Sequence, residues 1–378
     1  MSIKLINTSS IPLPGWLEIG VIPVLNIVLA LFFAGLIMLA IGVNPVEAVG
    51  IMIKGAFSYD GALGYTLYYT TNFIFTGLAV AVAFHASLFN IGGEGQAYIG
   101  GLGVGLVFLL LDDYLPAVLL IPIGIAAAGL FGAAWAFIPA WLQAHRGSHI
   151  VITTIMFNFI ASSIMVYLLV NVLIKPGQMS PESRVFDEAA WLPFMHEFLA
   201  LFGVEATRSP LNMSLFFALA CCLFVWVYIW RTRWGYELRT AGYSESAAVY
   251  AGIRPKKIIV SAMCISGALA GFVAVNEIMG VHHRLLMNFT AGYGFTGIAV
   301  SLMGRNHPIG IIMASLLFGV LYQGGAELAF EIPKITREMV VAIQGLIILF
   351  SGALALMLRP WVVRLYLKFK SVDALVPT

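Results

Sequence analysis

Residues 89–101 read FNIGGEGQAYIGG, and within them Asn90, Glu94 and Gln96 alternate with glycine inside otherwise apolar sequence. An amide or a carboxylate in such a place can hydrogen-bond a polar solute, or hold a proton or a cation. None of these residues is a nucleophile beside an activating base, so covalent or acid–base catalysis has no support here. Other polar or aromatic side chains interrupt apolar stretches elsewhere: Asn72, Phe75, Thr154, Asn158, Asn276, Phe289, Tyr293 and Phe295. Amides, hydroxyls and ring faces together suit the lining of a passage for a neutral, hydroxylated or ring-bearing solute. For any one of the asparagines or the threonine the plainer role is helix–helix hydrogen bonding, about 0.6 kcal/mol per bond. As a set they favour the passage.

These residues need a scaffold, and the composition says which kind. The chain has 61% hydrophobic and 10% charged residues and a mean hydropathy of +0.96. Soluble domains carry about 25% charged residues, so the class is an all-α polytopic membrane protein. A net charge of +2 gives no reason to expect nucleic acid. Cys221, Cys222 and Cys264 all lie in apolar runs and read as buried small residues, not a disulfide framework. The opening MSIKLINTSSIPLPG has one lysine and no early apolar core, so it does not read as a cleavable signal peptide.

A bilayer core takes about 20 apolar residues per helix. Windows free of Asp, Glu, Lys and Arg fall at 19–46, 65–84, 95–111, 114–144, 148–174, 209–230, 258–276, 285–304, 306–326 and 339–358, which makes about ten spans. The loop 231–257 holds six basic residues against Glu237 and Glu245, and the tail adds Arg359, Arg364, Lys368 and Lys370. The 175–210 connection has three basic residues against five acidic ones. The bias of basic residues to the inside places the loop, the tail and both termini in the cytoplasm, with 175–210 outside. A single domain over 1–378 then divides into repeats at about 18–175 and 211–360. Five spans in each make the second run inverted relative to the first. FTAGYGFTG at 289–297 occupies the place in the second repeat that 89–101 holds in the first. Paired glycine-interrupted segments of this kind mark a translocation site near the midplane. Broken backbone cannot face lipid, so 89–101 is expected to be buried in protein or to line a water-filled passage. The Glu94 carboxylate is expected to accept from the free N–H groups of the helix starting at Gly95. The plain alternative is a turn at the cytoplasmic end with Glu94 solvated.

In the basic loop Ser244 is an N-cap, Glu245 suits the helix start, and Gly252 ends the helix. Ala247, Ala248 and Ala251 would form its small exposed face, with Tyr250 as one large knob. Such a face fits a groove on another protein. An ordinary surface helix packing on its own bundle is the alternative.

FNIGGEGQAYIGG, SHIVITTIMFNFIA (148–161), TRWGYELRTAGYSESAAVYAGI (232–253) and SLMGRNHPIGIIMASLLFG (301–319) together resemble the permease subunits of bacterial ABC importers for nucleosides and simple sugars. This is the branched-chain amino acid/ribose-like permease family, and the wording is nearer its nucleoside-type branch. The resemblance implies ten helices, an inverted repeat and a loop whose short helix docks on an ATP-binding subunit. It also implies a second permease chain, an extracytoplasmic solute-binding protein and a place in the inner membrane. The 175–210 connection is longer than that pattern. No GxxxxGK[ST] is present, so ATP hydrolysis is expected in a separate chain. No cofactor is expected. Nor is a metal, since His85, His145, His149, His196, His282, His283 and His307 never stand at i, i+4 with carboxylates. The competing reading is an ion-coupled carrier using Glu94 and Glu277; a channel lacks charge rings or a carbonyl filter.

Overall fold

The computed structural model describes Pro14, Leu17, residues 21–352, residues 360–364 and Tyr366. The expectations for the N-terminal stretch, the last part of the 339–358 window, Arg359, Lys368 and Lys370 lie outside those residues. The described residues form helices without strands: α1 (Ile22–Ala40), α2 (Pro45–Phe57), α3 (Ala62–His85), α4 (Gly93–Leu111), α5 (Ala117–Arg146), α6 (Ile150–Asn171) and α7 (Met195–Ala200). Then come α8 (Ser214–Arg231), α9 (Arg233–Tyr243), α10 (Glu245–Tyr250), α11 (Pro255–Gly271), α12 (Tyr293–Met303), α13 (Pro308–Glu331) and α14 (Arg337–Gly352). A 3-10 turn at Glu188–Ala190 and a π-helical segment at Val275–His282 complete the set.

Among the described residues, seven helices are long and apolar enough to cross a bilayer: α3, α4, α5, α6, α8, Pro255–His282 and α13. The pair Val28–Ala40 and Pro45–Phe57 bends by 117° and makes an eighth if counted as one span. The 285–304 window holds only the 11-residue α12. The cause is local: Asn288, Ala291 and Gly292 have φ of 57°, 44° and 81°, left-handed values that end a right-handed helix. The break between α1 and α2 follows from Gly42 (φ 79°) and the helix-starting Pro45.

The chain forms two compact units, 54–323 and a smaller one of 1–53 with 324–378. In the smaller unit α1 packs on α14, and Gly324 sits against the Met52 backbone where a Cβ would collide. The larger unit holds every residue considered below. Its heart is the contact of α5 with α11, made by small residues at helical spacing: Ala128 and Gly132 against Gly267 and Gly271. A Cβ on Gly271 would strike the Ala128 carbonyl, and one on Gly267 the Gly132 carbonyl. Without a hydrophobic drive between helices in lipid, such backbone approach supplies the packing energy. Gly100 brings α4 onto the same seam at Gly271.

The 175–210 connection is stitched to the π-helical segment and the residues after it. Ser183 N donates to Leu285 O (2.9 Å), Phe186 N to His283 O (2.8 Å) and Leu192 N to Met279 O (2.9 Å). Arg184 grips Asp112, just past α4, with two bonds of 2.6 and 2.8 Å. Burial pushes the Asp112 carboxyl up, but the Arg184 guanidinium and the Asp187 N–H outweigh it and hold the carboxyl below the usual carboxylate range.

Candidate translocation site

The 89–101 stretch is a turn followed by the start of α4. Asn90 closes the turn by accepting from Gly92 N–H (2.9 Å) and donates to Gln96 Oε1 and Ser266 Oγ (both 2.9 Å). Gln96 returns a bond to Asn90 Oδ1 (3.1 Å). Both residues are 1% exposed, so this pair is a buried lock between α4 and α11. Thr154 on α6 is fully buried and spends its hydroxyl on Ile150 O (2.8 Å). Asn158, one turn further, accepts from Gly95 N–H and donates to Ile91 O, each at 2.9 Å. The free Gly95 N–H at the start of α4 is thus met by Asn158 and not, as the sequence led one to expect, by Glu94.

Glu94 reaches across to the other glycine-rich stretch. Its Oε1 accepts from Thr290 Oγ1 (2.5 Å) and Gly292 N–H (2.9 Å), and its Oε2 from Gly294 N–H (2.8 Å). Side chains in the first turn of a helix lean toward its N-terminus, and there the start of α12 abuts α4. A Cβ on Gly294 would collide with the Glu94 backbone. The carboxylate therefore caps a helix about 200 residues away in sequence, with hydrogen bonds and with its charge on the positive end of α12. Glu94 is half-buried. Its exposed side borders a cavity of about 300 Å³, also lined by Tyr98, Asn158, Ser162, Asn288 and Thr290. Phe289 is 3% exposed and stacks at 5.2 Å and 9° on Tyr98, one of the lining residues.

A second buried polar cluster is built on the π-helical segment. Glu277, 1% exposed, accepts from Tyr68 O–H (2.6 Å) and Asn72 Nδ2 (2.5 Å), and His282 Nε2 lies 3.3 Å from its other oxygen. Asn276 donates to Asn72 Oδ1 (2.9 Å) and accepts from Asn212 Nδ2 and Ser214 Oγ (2.9 and 2.8 Å). Tyr293, buried, meets Phe73 edge-on at 5.6 Å. Phe75 is enclosed by Phe217 and Phe272 and packs as core, while Phe295 is 48% exposed.

The residues read from the sequence therefore fall into a junction (Asn90, Glu94, Gln96, Thr154, Asn158 and Phe289), a polar cluster (Asn72, Asn276, with Tyr293 beside Phe73), and two aromatic side chains apart from both. Tyr98, Ser162, Asn288 and Thr290 escaped sequence reading. Tyr98 and Thr290 did carry a signal, standing inside FNIGGEGQAYIGG and FTAGYG.

In the 231–257 loop, Ser244 Oγ accepts from Ala247 N–H (3.3 Å) and caps α10, and Gly252 (φ 77°) ends it. Glu245, Ala247, Ala251 and Gly252 are exposed, and Tyr250 is 96% exposed. Ala248 differs from expectation. It is fully buried, on the face of α10 turned toward α9 and α11, so the outward face is Ala247, Tyr250 and Ala251.

Residues 62–352 match the family model described as branched-chain amino acid transport system / permease component. The chain is 35% identical over 341 residues to the glucose ABC transporter permease protein TsgB13 of Haloferax volcanii, covering 89% of this chain and 88% of that one. It is 33% identical over 336 residues to the guanosine ABC transporter permease protein NupP of Bacillus subtilis, covering 88% and 92%. With the nucleoside ABC transporter permease protein NupB of Lactococcus lactis it shares 31% over 338 residues, 87% and 89%. Permeases of this family work with an ATP-binding subunit and a substrate-binding protein, and are not themselves enzymes. With apolar helices throughout and this likeness over most of its length, the chain belongs to the permease-component family of ABC importers and is a membrane-embedded translocation subunit.

Proposed function

We propose that this permease moves a nucleoside or a related simple sugar inward across the cytoplasmic membrane, with both termini in the cytoplasm. It would pair with a second permease chain, two ATP-hydrolysing subunits and an extracytoplasmic binding protein, in contact with lipid. Ten spans in two inverted repeats, divided at 175–210, remain the preferred plan, with the bent α1–α2 pair as the first. The observation that carries this reading is the direct meeting of 89–101 with 289–297 through Glu94, Gly93 and Gly294. That is the geometry expected where two broken helices face each other at a passage. The relatives named for glucose, guanosine and nucleosides support the solute class.

The loop 231–257 is the proposed ATPase contact, with Ser244, Glu245, Ala247, Ala248, Tyr250, Ala251 and Gly252 forming or holding its docking helix. The helix has a route to the site: Ser87, just before the 89–101 turn, donates to Gly242 O at the end of α9 (2.5 Å). The test is uptake of labelled guanosine and glucose by cells expressing the whole transporter, with and without this chain. Single cysteines at 180–190 and 240–245 set the orientation. Labelling of the first from outside and the second only from the cytoplasm is expected; the reverse pattern overturns the orientation and the docking loop together.

A further inference from the structure

We infer that the cavity between α4, α6 and the 288–292 turn is a subsite for solute hydroxyl groups, with Ser162 and Asn288 as direct contacts; this rests on the transport reading above. The cavity, about 300 Å³, is large enough for a sugar ring or the ribose of a nucleoside. Its lining carries unspent hydrogen-bonding capacity in one small space. Ser162 and Asn288 are exposed on the cavity lining, and the Ser162 hydroxyl and the Asn288 amide nitrogen have no partner among the described residues, although Asn288 Oδ1 is held by Tyr98 O–H at 3.0 Å. A carboxylate offers about four lone-pair sites. Glu94 uses three, on Thr290, Gly292 and Gly294, which leaves one to accept from a solute hydroxyl.

The local backbone fits a built site. Asn288 and Ala291, neither of them glycine, sit at φ of 57° and 44° on its rim, and strain of this kind gathers where a ligand is held. Asn288 is pinned twice by Tyr98, whose hydroxyl also receives the Asn288 N–H. The charge is selective as well. Among the described residues no lysine or arginine lines the cavity, so a phosphate would face Glu94 with no countercharge from them. The subsite takes an uncharged, hydroxyl-bearing solute and disfavours its phosphorylated form.

The experiment is a cycle between a protein hydroxyl and a solute hydroxyl, run on the complete transporter. Uptake of guanosine, 2′-deoxyguanosine and 3′-deoxyguanosine, or of glucose and its deoxy forms, is measured for wild type and Ser162→Ala. A lost hydrogen bond costs roughly fivefold. Ser162→Ala is expected to slow the parent solute by about that factor and one deoxy solute hardly at all. Equal slowing of every solute overturns the subsite while leaving the transport reading intact. Wild-type uptake of neither guanosine nor glucose overturns both. As a second measurement, Ser162→Cys in the assembled transporter should react with neutral hydroxyethyl methanethiosulfonate faster than with its anionic sulfonatoethyl counterpart, after correction for their rates on free thiol. Parent solute should protect the thiol. Failure to react, or reaction without protection, contradicts the subsite.

Discussion

Two of the glutamates on the membrane-spanning helices, Glu94 and Glu277, are used in opposite ways. Glu277 is sealed: Tyr68, Asn72 and His282 surround it, and side chains from α3, α8 and the π-helical segment complete a buried network. Glu94 is satisfied mainly by backbone N–H groups of another helix, at a glycine-to-glycine contact, with one side on a cavity. A sealed network rigidifies, because each member is costly to strand. A carboxylate that holds a helix start through three bonds at an open edge can let go and re-form as the two helices part. We propose from this difference that Glu277 belongs to the scaffold and Glu94 to the part that works during transport.

The comparison breaks most visibly with Glu94→Leu. It strands two N–H groups and a hydroxyl, at about 1–3 kcal/mol each, and should abolish uptake with loss of assembled complex. Glu277→Leu should lower complex yield to a similar degree, and uptake per surviving complex is expected to stay near wild type. Next in size is Gly294→Ala. Its Cβ has no room against the Glu94 backbone, and overpacking costs about 1–3 kcal/mol, so uptake should fall tenfold or more while the Glu277 cluster keeps the fold assembled. Ala247→Arg, on the outward face of α10, should leave stability within about 0.5 kcal/mol and separate ATP hydrolysis from uptake. Ala248→Arg, by contrast, forces a charge into a buried position and should reduce assembly itself.

The smallest effect concerns the Asp112–Arg184 pair, outside both regions. The folded carboxyl lies below its unfolded value of about 3.9, so its stabilisation is complete above that pH and lost as pH falls through the folded value. Thermal stability of the purified complex should therefore be unaffected by this pair from pH 7 to 5. Below about pH 4 it should decline, and Asp112→Asn should flatten only that limb.

Much of this was legible in the residues themselves. Charge-free windows located the long helices because lipid forbids charge, and Ser244 and Gly252 marked the ends of α10 because capping is local chemistry. The meeting of 89–101 with 289–297 was implied by their matching places, but the partner of Glu94 was not. A sequence shows that a carboxylate stands near a helix start; only packing decides which helix start it meets. Ala248 was misjudged for the same reason, since alanine reads alike on either face of a six-residue helix. The glycines of 289–297 signalled the break before α12, but not where it would fall, because left-handed Asn288 and Ala291 carry no signal as strong as glycine.

The assignment of the two glutamates is tested most directly by isosteric neutralisation of each. Glu94→Gln and Glu277→Gln keep the size of the side chain and an acceptor oxygen, so both should insert in the membrane. Uptake of labelled solute is measured per assembled transporter, alongside the yield of complex. Glu94→Gln is predicted to keep its yield and lose uptake several-fold, because an amide replaces one acceptor oxygen with a donor facing an N–H group. Glu277→Gln is predicted to lose yield and to retain uptake per complex. Wild-type uptake from Glu94→Gln, or slowed uptake from fully assembled Glu277→Gln, would contradict the assignment.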